Sequence, residues 1–501
     1  MNNNNAPSTA TFLGHPRGLA TLFFTEFFER FSYYGMRALL VLFLTATVAN
    51  GGFGVDDKTA GAVYGLYAGS VYLFSLPGGW IADRLIGARR SIFYGGMLIA
   101  AGNFMLGIPA TPAVFYAGLL VIALGTGLLK PNVSAVVGDL YVGQPGARRD
   151  AAFSIFYMGI NLGATLAPFG PGTIGETVGF RWGFVAAGLA MLIGLAQFRM
   201  TEHYLGEAGR APADLSPQSR ARALRYLAIG LVVLAAGAAL FGTGMLQVSV
   251  VVLADWVLWF MIALAVIFFA SVFAFGGLDA TERARVVVIL VFCLCAALFF
   301  GGFEQAGTTL NLFARDLTDR SLLGGFFAAH EHPASWYQSV NPIYIILLSP
   351  FFAWLWVALG KRNLDPSAPF KFGLGLALLG AGFGTLIFAA QLILAHGGKV
   401  GPQWLLLTYL LHTSGELCLS PIGLSNVTKL APRHFASQMM GTWFLGTAIG
   451  NNLAGRVGGE VGSQVAAMPA AFLRMTLVGV GAGALMLLFS PLLRRWMGGV
   501  R

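Results

Sequence analysis

About fourteen stretches of roughly 20 apolar residues, beginning near Leu19 and ending with one near Ala470, leave this chain little choice of fold. Inside hydrocarbon every unpaired backbone N–H or C=O costs several kcal/mol, so only helices and closed barrels span a bilayer. A barrel needs strands of about ten residues that alternate in polarity. These runs are longer and continuous, and they predict an all-α polytopic membrane protein with about 14 transmembrane helices. Charged residues make up 10% of the chain and hydrophobic ones 56%. Soluble domains carry roughly 25% charge, so the composition excludes the three or so soluble domains that 501 residues would otherwise allow.

Loop charges orient the chain. Basic pairs follow alternate runs: Arg89 and Arg90, Arg148 and Arg149, Arg283 and Arg285, Lys361 and Arg362, then Arg433 alone and Arg494, Arg495 and Arg501 at the end. The intervening loops, Asn50–Lys58, Gly107–Pro112, Gly172–Arg181 and Gly242–Ser249, are poor in Lys and Arg. Basic loops stay cytoplasmic, which places both termini in the cytoplasm and makes the number of spans even. The net charge of +10 then faces anionic lipid of the bilayer and calls for no nucleic acid. Cys293, Cys295 and Cys418 all fall in apolar runs, and the C-x-C pair has no second pair and no nearby histidine, so neither a metal site nor a disulfide is expected. Met1–Ser8 is Asn-rich and uncharged, reads as disordered, and lacks the basic start and cleavage site of a signal peptide.

The longest interior polar segment, Thr201–Arg225, divides the chain. The expected organisation is a cytoplasmic tail (1–18), a six-helix bundle (19–200), a cytoplasmic linker (201–225), two accessory transmembrane helices (226–280), a second six-helix bundle (281–496) and a short cytoplasmic tail (497–501). The accessory spans hold only Gln247 and Asp255 as strongly polar members and read as lipid-facing. Two bundles with a site between them near the midplane is a transporter architecture.

One apolar run is unusually charged. Thr25–Leu44 reads TEFFERFSYYGMRALLVLFL. At helical spacing Glu26, Arg30, Tyr33 and Arg37 share one side, with Glu29 at its edge, in a stripe of about 100°. A charge at mid-bilayer is costly, so it faces a cavity or a partner and marks a pathway. The alternative is a self-neutralised structural cluster, for which one acid and one base would suffice.

Other runs carry sparse polar groups: Tyr64, Tyr67 and Tyr72; Lys130 before Pro131; Tyr157 and Asn161; Glu304 and Gln305; Asn341 before Pro342; Glu416 with Ser420 and Pro421. Each proline within a span frees a carbonyl and predicts a bend beside a cavity. Four acids (Glu26, Glu29, Glu304, Glu416) stand against three bases (Arg30, Arg37, Lys130), a set suited to a zwitterion and a mobile proton. The segment Arg315–Pro333, with His330, Glu331 and His332, is expected to be a solvated loop rather than a metal site. Paired intramembrane histidines for haem and a G-x-x-x-x-G-K-[ST] phosphate loop are both missing, which argues against a respiratory subunit and an ATP-driven pump. A channel is separated from a carrier by flux measurements, not by sequence.

EFFERFSYYG (Glu26–Gly35) resembles the E-x-x-E-R-F-x-Y-Y-G signature of the proton-dependent oligopeptide transporter (POT) family of the major facilitator superfamily. FYMGINLGA (Phe156–Ala164) is similar to its F-Y-x-x-I-N-x-G signature. FEQAGTTLNLFA (Phe303–Ala314), QSVNPIYIILLSP (Gln338–Pro350) and GELCLSPIGLS (Gly415–Ser425) resemble its second-half motifs, and GGWIADRLIGARR (Gly78–Arg90) a superfamily loop. The resemblance implies a monomeric, proton-coupled importer of di- and tripeptides in a bacterial inner membrane, with no metal, no cofactor beyond the coupling proton, and no enzymatic activity. A nitrate-like anion or another zwitterion is the alternative cargo. It further implies that Arg37 and Lys130 receive the peptide carboxylate, that Asn161, Asn341 and Glu416 receive its amino terminus, and that Tyr33, Tyr34, Tyr72 and Trp443 line the pocket. Glu26, Glu29, Arg30 and Glu304 resemble the proton-coupling set. Phe300 stands where relatives often have Trp, and Thr447 where some have Ser. The expected gates are Arg37 with Glu304 across the halves, and Lys130 with Glu416 or with the Glu26–Glu29 stripe.

Overall fold

A computed structural model describes residues 11–108, 111–210, 216–243, 245, 247–461 and 465–500. The tail reading of Met1–Ser8, Pro212 of the linker, Arg501 and the Arg433 side chain lie outside the described residues. The described chain opens on a small hairpin, β1 (Thr11–Phe12) against β2 (His15–Pro16). Its turn is made by Leu13 and Gly14 in the left-handed region.

Helices follow in chain order: α1 (Arg17–Thr45), α2 (Asp57–Ile81), α3 (Ala88–Gly107), α4 (Pro112–Asp139), α5 (Gly146–Leu166), α6 (Thr173–Thr177) and α7 (Phe180–Thr201). Then come α8 (Pro217–Gly242), α9 (Val250–Phe275), α10 (Ala280–Phe303) and α11 (Thr309–Asp316). The last five are α12 (Val340–Lys361), α13 (Ala368–His396), α14 (Gln403–Leu430), α15 (Ala436–Val461) and α16 (Met468–Trp496). Among the described residues fourteen of these helices are 20 residues or longer, all but α6 and α11, in line with the apolar runs. Among the described residues nine spans contain a stretch long and apolar enough to cross a membrane on composition alone. The long helices left out, α1, α2, α3, α14 and α15, include those richest in buried polar groups, such as Glu26, Glu29, Arg30 and Arg37 on α1.

By packing, the chain forms two compact units. The first comprises Met1–Tyr34, Phe74–Ala167 and Phe184–Met245. In it α5 lies against α1 so closely that a Cβ on Gly163 would stand 2.4 Å from the Phe27 carbonyl oxygen. The second unit comprises Gly35–Leu73, Pro168–Gly183 and Leu246–Arg501. Its α13 and α16 meet backbone to backbone, where a Cβ on Gly479 would stand 2.7 Å from the Gly380 Cα. Small residues at such crossings let helices associate by close packing where water supplies no hydrophobic drive.

Three expectations change here, all within the second unit. First, the long run from Val286 through Glu304 is not one continuous helix. It breaks after Phe303 into a 3-10 turn, Glu304–Gly307, and resumes as α11. Gln305 repairs the break: its amide donates to the Gly301 and Ala454 carbonyls, and its oxygen accepts from the Thr308 and Thr309 hydroxyls. Second, Pro342 sits in the first turn of α12, where its missing N–H breaks no ladder. The proline inside that helix is Pro350. Third, α9 is not simply lipid-facing. Leu258 and Met261 pack on Leu445 and Ala448 of α15 beside Tyr72, and Asp255 pairs with Arg456 at 3.0 Å. By contrast α8 is almost wholly exposed, with 6% of its apolar window buried.

The segment Arg315–Pro333 is also more ordered than a solvated loop. Thr318 bridges Val400, and the Asp319 N–H donates to the Val400 carbonyl at 2.8 Å. Arg320 pairs with Glu331 at 2.5 Å, and Lys399 pairs with the other Glu331 oxygen. The Lys399 hydrogen bond, more than the Arg320 charge, holds the Glu331 carboxyl below its ordinary range. His332 is buried against Trp336 and Tyr337, and that burial lowers its pKa. On α6, Glu176 accepts from the N–H groups of Ala334 and Ser335 at 2.8 Å each, which pins the far end of the segment.

Candidate functional site

The first unit gathers the acidic half of the α1 stripe. Arg30 forks onto Glu29, with Nη2 donating to Oε1 at 2.7 Å and Nε donating to Oε2. Nε also lies 3.2 Å from Glu26 Oε1. All three side chains are buried. Glu29, placed at the stripe's edge by helical spacing, is thus the bidentate partner of Arg30 rather than a bystander. Such paired geometry is what makes a buried arginine tolerable. Two acids against one base leave a surplus negative charge, and the Glu26 Oε2 atom has no hydrogen-bond partner among the described residues. Lys130 on α4 acts electrostatically on Glu26 and supplies the second positive charge. The Arg30 guanidinium also lies over the Tyr33 ring at 5.0 Å, and Tyr33 meets Tyr34 edge-on at 5.2 Å. Asn161 on α5 is buried, and its amide donates to the Tyr157 carbonyl at 2.9 Å.

The second unit brings together Arg37 and Glu304, which are distant in sequence. Arg37 Nη2 stands 3.2 Å from Glu304 Oε2. Tyr64 of α2 lies between them: its oxygen accepts from Arg37 Nε at 2.7 Å and its O–H donates to Glu304 Oε2 at 2.5 Å. All three are buried, Tyr64 completely. The helix break supplies the space. A Cβ on Gly307 would stand 2.3 Å from the Tyr64 ring carbon that bears the hydroxyl, so only glycine admits the tyrosine. Tyr64 was visible in the sequence as one of three tyrosines in span two, but nothing there separated it from Tyr67 and Tyr72.

In the same unit Asn341 donates one amide hydrogen to the Thr413 hydroxyl at 2.9 Å and the other to Glu416 Oε2 at 3.1 Å. Asn341 and Glu416 are half-buried, and Glu416 also feels the charges of Glu304 and Arg37. The Glu416 carboxylate, acceptor-only when ionised, keeps capacity for a further donor. Trp443 on α15 packs edge-on to Phe372 at 6.2 Å, and its ring lies so close to Gly423 that a Cβ there would overlap it at 2.1 Å. Phe300 is half-buried among Phe299 and Phe303. The Thr447 hydroxyl donates to the Trp443 carbonyl on its own helix at 3.2 Å. Tyr72 packs on the α9–α15 contact.

Comparison with known proteins sharpens this picture. The model of the POT family matches residues 89–467. A protein of Yersinia enterocolitica named peptide transporter YePEPT is 40% identical, over 98% of this chain and 97% of its own. A di-/tripeptide transporter of Lactococcus lactis subsp. cremoris is 37% identical, over 98% of each chain. A crystal structure of peptide transporter POT in complex with sulfate superposes with a TM-score of 0.90 at 41% identity, covering 98% of this chain and 97% of that one. A mutant of peptide transporter POT, crystallised with alafosfalin, gives a TM-score of 0.89 at 41% identity with the same coverage. The match to the family model across most of the chain, and to relatives along nearly all of it, means that this chain belongs to the POT family.

Proposed function

We propose that the chain is a proton-coupled symporter that imports di- and tripeptides by alternating access. The observation that carries this reading is the Arg37–Tyr64–Glu304 triad, a buried ion pair bridged by a hydroxyl. Such a pair holds while Glu304 is ionised. A proton on Glu304 cancels its charge and leaves Arg37 a buried cation without a counter-ion, which is strongly unfavourable. A peptide carboxylate then becomes the natural replacement, and Arg37 and Lys130 are its proposed receivers. Asn341 and Glu416, joined by a hydrogen bond, offer an oxygen-rich end for the ammonium group. Asn161 is proposed to share that end, with Tyr33, Tyr34, Tyr72, Phe300, Trp443 and Thr447 shaping the side-chain space.

Glu26, Glu29 and Arg30 form a second proton-sensitive group in this reading. Their two acids and one base change net charge when one proton arrives. The membrane potential contributes about 2.3 kcal/mol per charge per 100 mV to accumulation. We place both termini on the cytoplasmic side of a bacterial inner membrane, from the alternation of basic loops, and treat the working unit as a monomer whose partners are peptide, protons and lipid.

The deciding experiment is uptake of labelled dialanine into proteoliposomes, with and without an imposed pH gradient. Saturable uptake that rises with an acid exterior and collapses with an uncoupler is the expected result. Uptake indifferent to the gradient, or unsaturable, overturns the symport reading.

A further inference from the structure

The end of α16 and the start of α13 flank an open cavity of about 680 Å³ in the second unit, apart from every residue assigned to transport. Its lining includes Asp365, Ser367, Phe370, Ser490, Arg494 and Arg495. The volume is within the usual range for small-molecule sites, about 300–1,000 Å³. The Ser367 and Ser490 hydroxyl oxygens are 2.9 Å apart, so one donates to the other. Asp365 is already satisfied: Lys371 Nζ reaches it at 2.8 Å and lies over the Trp356 ring at 4.3 Å. Arg494 and Arg495, by contrast, have no ion pair among the described residues. The cavity therefore carries two uncompensated guanidinium groups, two hydroxyls and, through Phe370 and the exposed Leu364, an apolar shoulder.

Guanidinium forks and hydroxyls match phosphate oxygens, and Arg is preferred to Lys where that match is bidentate. Arg283 and Arg285 begin α10. Arg285 Nε also reaches the Met497 carbonyl just past α16, at 3.3 Å. Basic recesses between transmembrane helices at such an end attract anionic lipid headgroups. The apolar shoulder beside the charges selects an amphiphile over a free ion.

We propose that this cavity binds the phosphodiester headgroup of an anionic phospholipid, with Arg494 and Arg495 on its non-bridging oxygens and the one hydroxyl hydrogen that the Ser367–Ser490 pair leaves free as a further donor. The lipid joins α13 to α16 at the end opposite α16's first turn, reinforcing two helices already in backbone contact.

Thermal unfolding of the full chain in detergent tests this, with phosphatidylglycerol, phosphatidylcholine or inorganic phosphate added at equal concentration. Phosphatidylglycerol is expected to raise Tm by several degrees and the other two to leave it unchanged. R494Q/R495Q should lose that rise, and R362Q, which alters a neighbouring charge outside the cavity, should keep it. A rise that survives R494Q/R495Q, that R362Q abolishes equally, or that inorganic phosphate reproduces overturns the proposal. Should the double variant not fold, native mass spectrometry of R494Q and R495Q singly reads the same site. Each is expected to retain fewer phosphatidylglycerol adducts than the unaltered protein, and equal retention overturns the assignment.

Discussion

Arg37 and Glu304 meet twice, directly at 3.2 Å and through the Tyr64 hydroxyl, which accepts from the arginine and donates to the carboxylate. A pair held this way has one protonation state in which every group is matched. Glu304→Gln keeps the shape and removes the titration. Proton-driven uptake of labelled dipeptide is therefore expected to vanish while counterflow, which needs no net proton movement, continues. Driven uptake at the unaltered rate would remove Glu304 from the coupling scheme.

Tyr64→Phe isolates the bridge. The direct ion pair remains, but both hydrogen bonds of the hydroxyl are lost, one from Arg37 and one to Glu304, each to a charged group and about 1.5–3 kcal/mol in typical cases. Driven uptake should fall at least tenfold, the equivalent of about 1.4 kcal/mol or more. Peptide affinity, measured by inhibition of binding, should shift by less. Gly307→Ala should give the same phenotype for a steric reason, since its Cβ would stand 2.3 Å from the Tyr64 ring. Uptake within twofold of the parent in both variants would mean that the bridge contributes nothing.

How much of this was legible beforehand follows from the physics of each feature. The helices were, because hydrocarbon permits little else, and so was the charged face of α1, because its members lie within a few turns of one another. Pairing across the chain was not. Glu304 and Arg37 both stood out as buried charges, yet only their resemblance to a family pattern joined them, and Tyr64 looked like its neighbours Tyr67 and Tyr72. The break at Glu304 carries no proline. Its sequence trace is Gly301, Gly302 and Gly307, three glycines among 67. Asp255 looked isolated in an apolar run because its partner, Arg456, lies on a helix about 200 residues later. Helical periodicity reads neighbours on one helix and is silent about contacts between helices.

The proposed carboxylate receivers are tested by charge removal. Arg37→Ala and Lys130→Ala should each raise the peptide Kd at least tenfold, since truncating one member of a desolvated charge contact typically costs 2–5 kcal/mol. Peptides amidated at the C-terminus should bind all three proteins with similar weak affinity. Unchanged affinity for free-acid peptides in both variants rejects the assignment.

The opposite end of the cargo has its own test. Glu416 accepts one Asn341 hydrogen at 3.1 Å and retains acceptor capacity. Glu416→Gln should weaken binding of dialanine several-fold but leave N-acetyl-dialanine, which has no ammonium group, nearly unaffected. Equal losses for both ligands would show that Glu416 serves the fold rather than the amino terminus.

The ordered segment between α11 and α12 offers a prediction in pH. Glu331 is held below its ordinary pKa, chiefly by Lys399, so its contribution to local order is present above the ordinary value near 4.5 and is lost as pH falls through the folded one. His332 is lowered from 6.5 by burial, so it too favours the ordered segment while neutral and opposes it once charged in acid. Both groups act in the same direction: the segment should hold at pH 7, loosen below about 6.5 as His332 charges, and open further below 4.5 as Glu331 is protonated. Hydrogen–deuterium exchange over residues 317–333 is expected to quicken across that range after correction for intrinsic rates. Lys399→Ala removes the stronger Glu331 partner, so faster exchange should set in at a higher pH. Exchange that is flat with pH, or unaltered by Lys399→Ala, would mean that these ion pairs do not hold the segment closed.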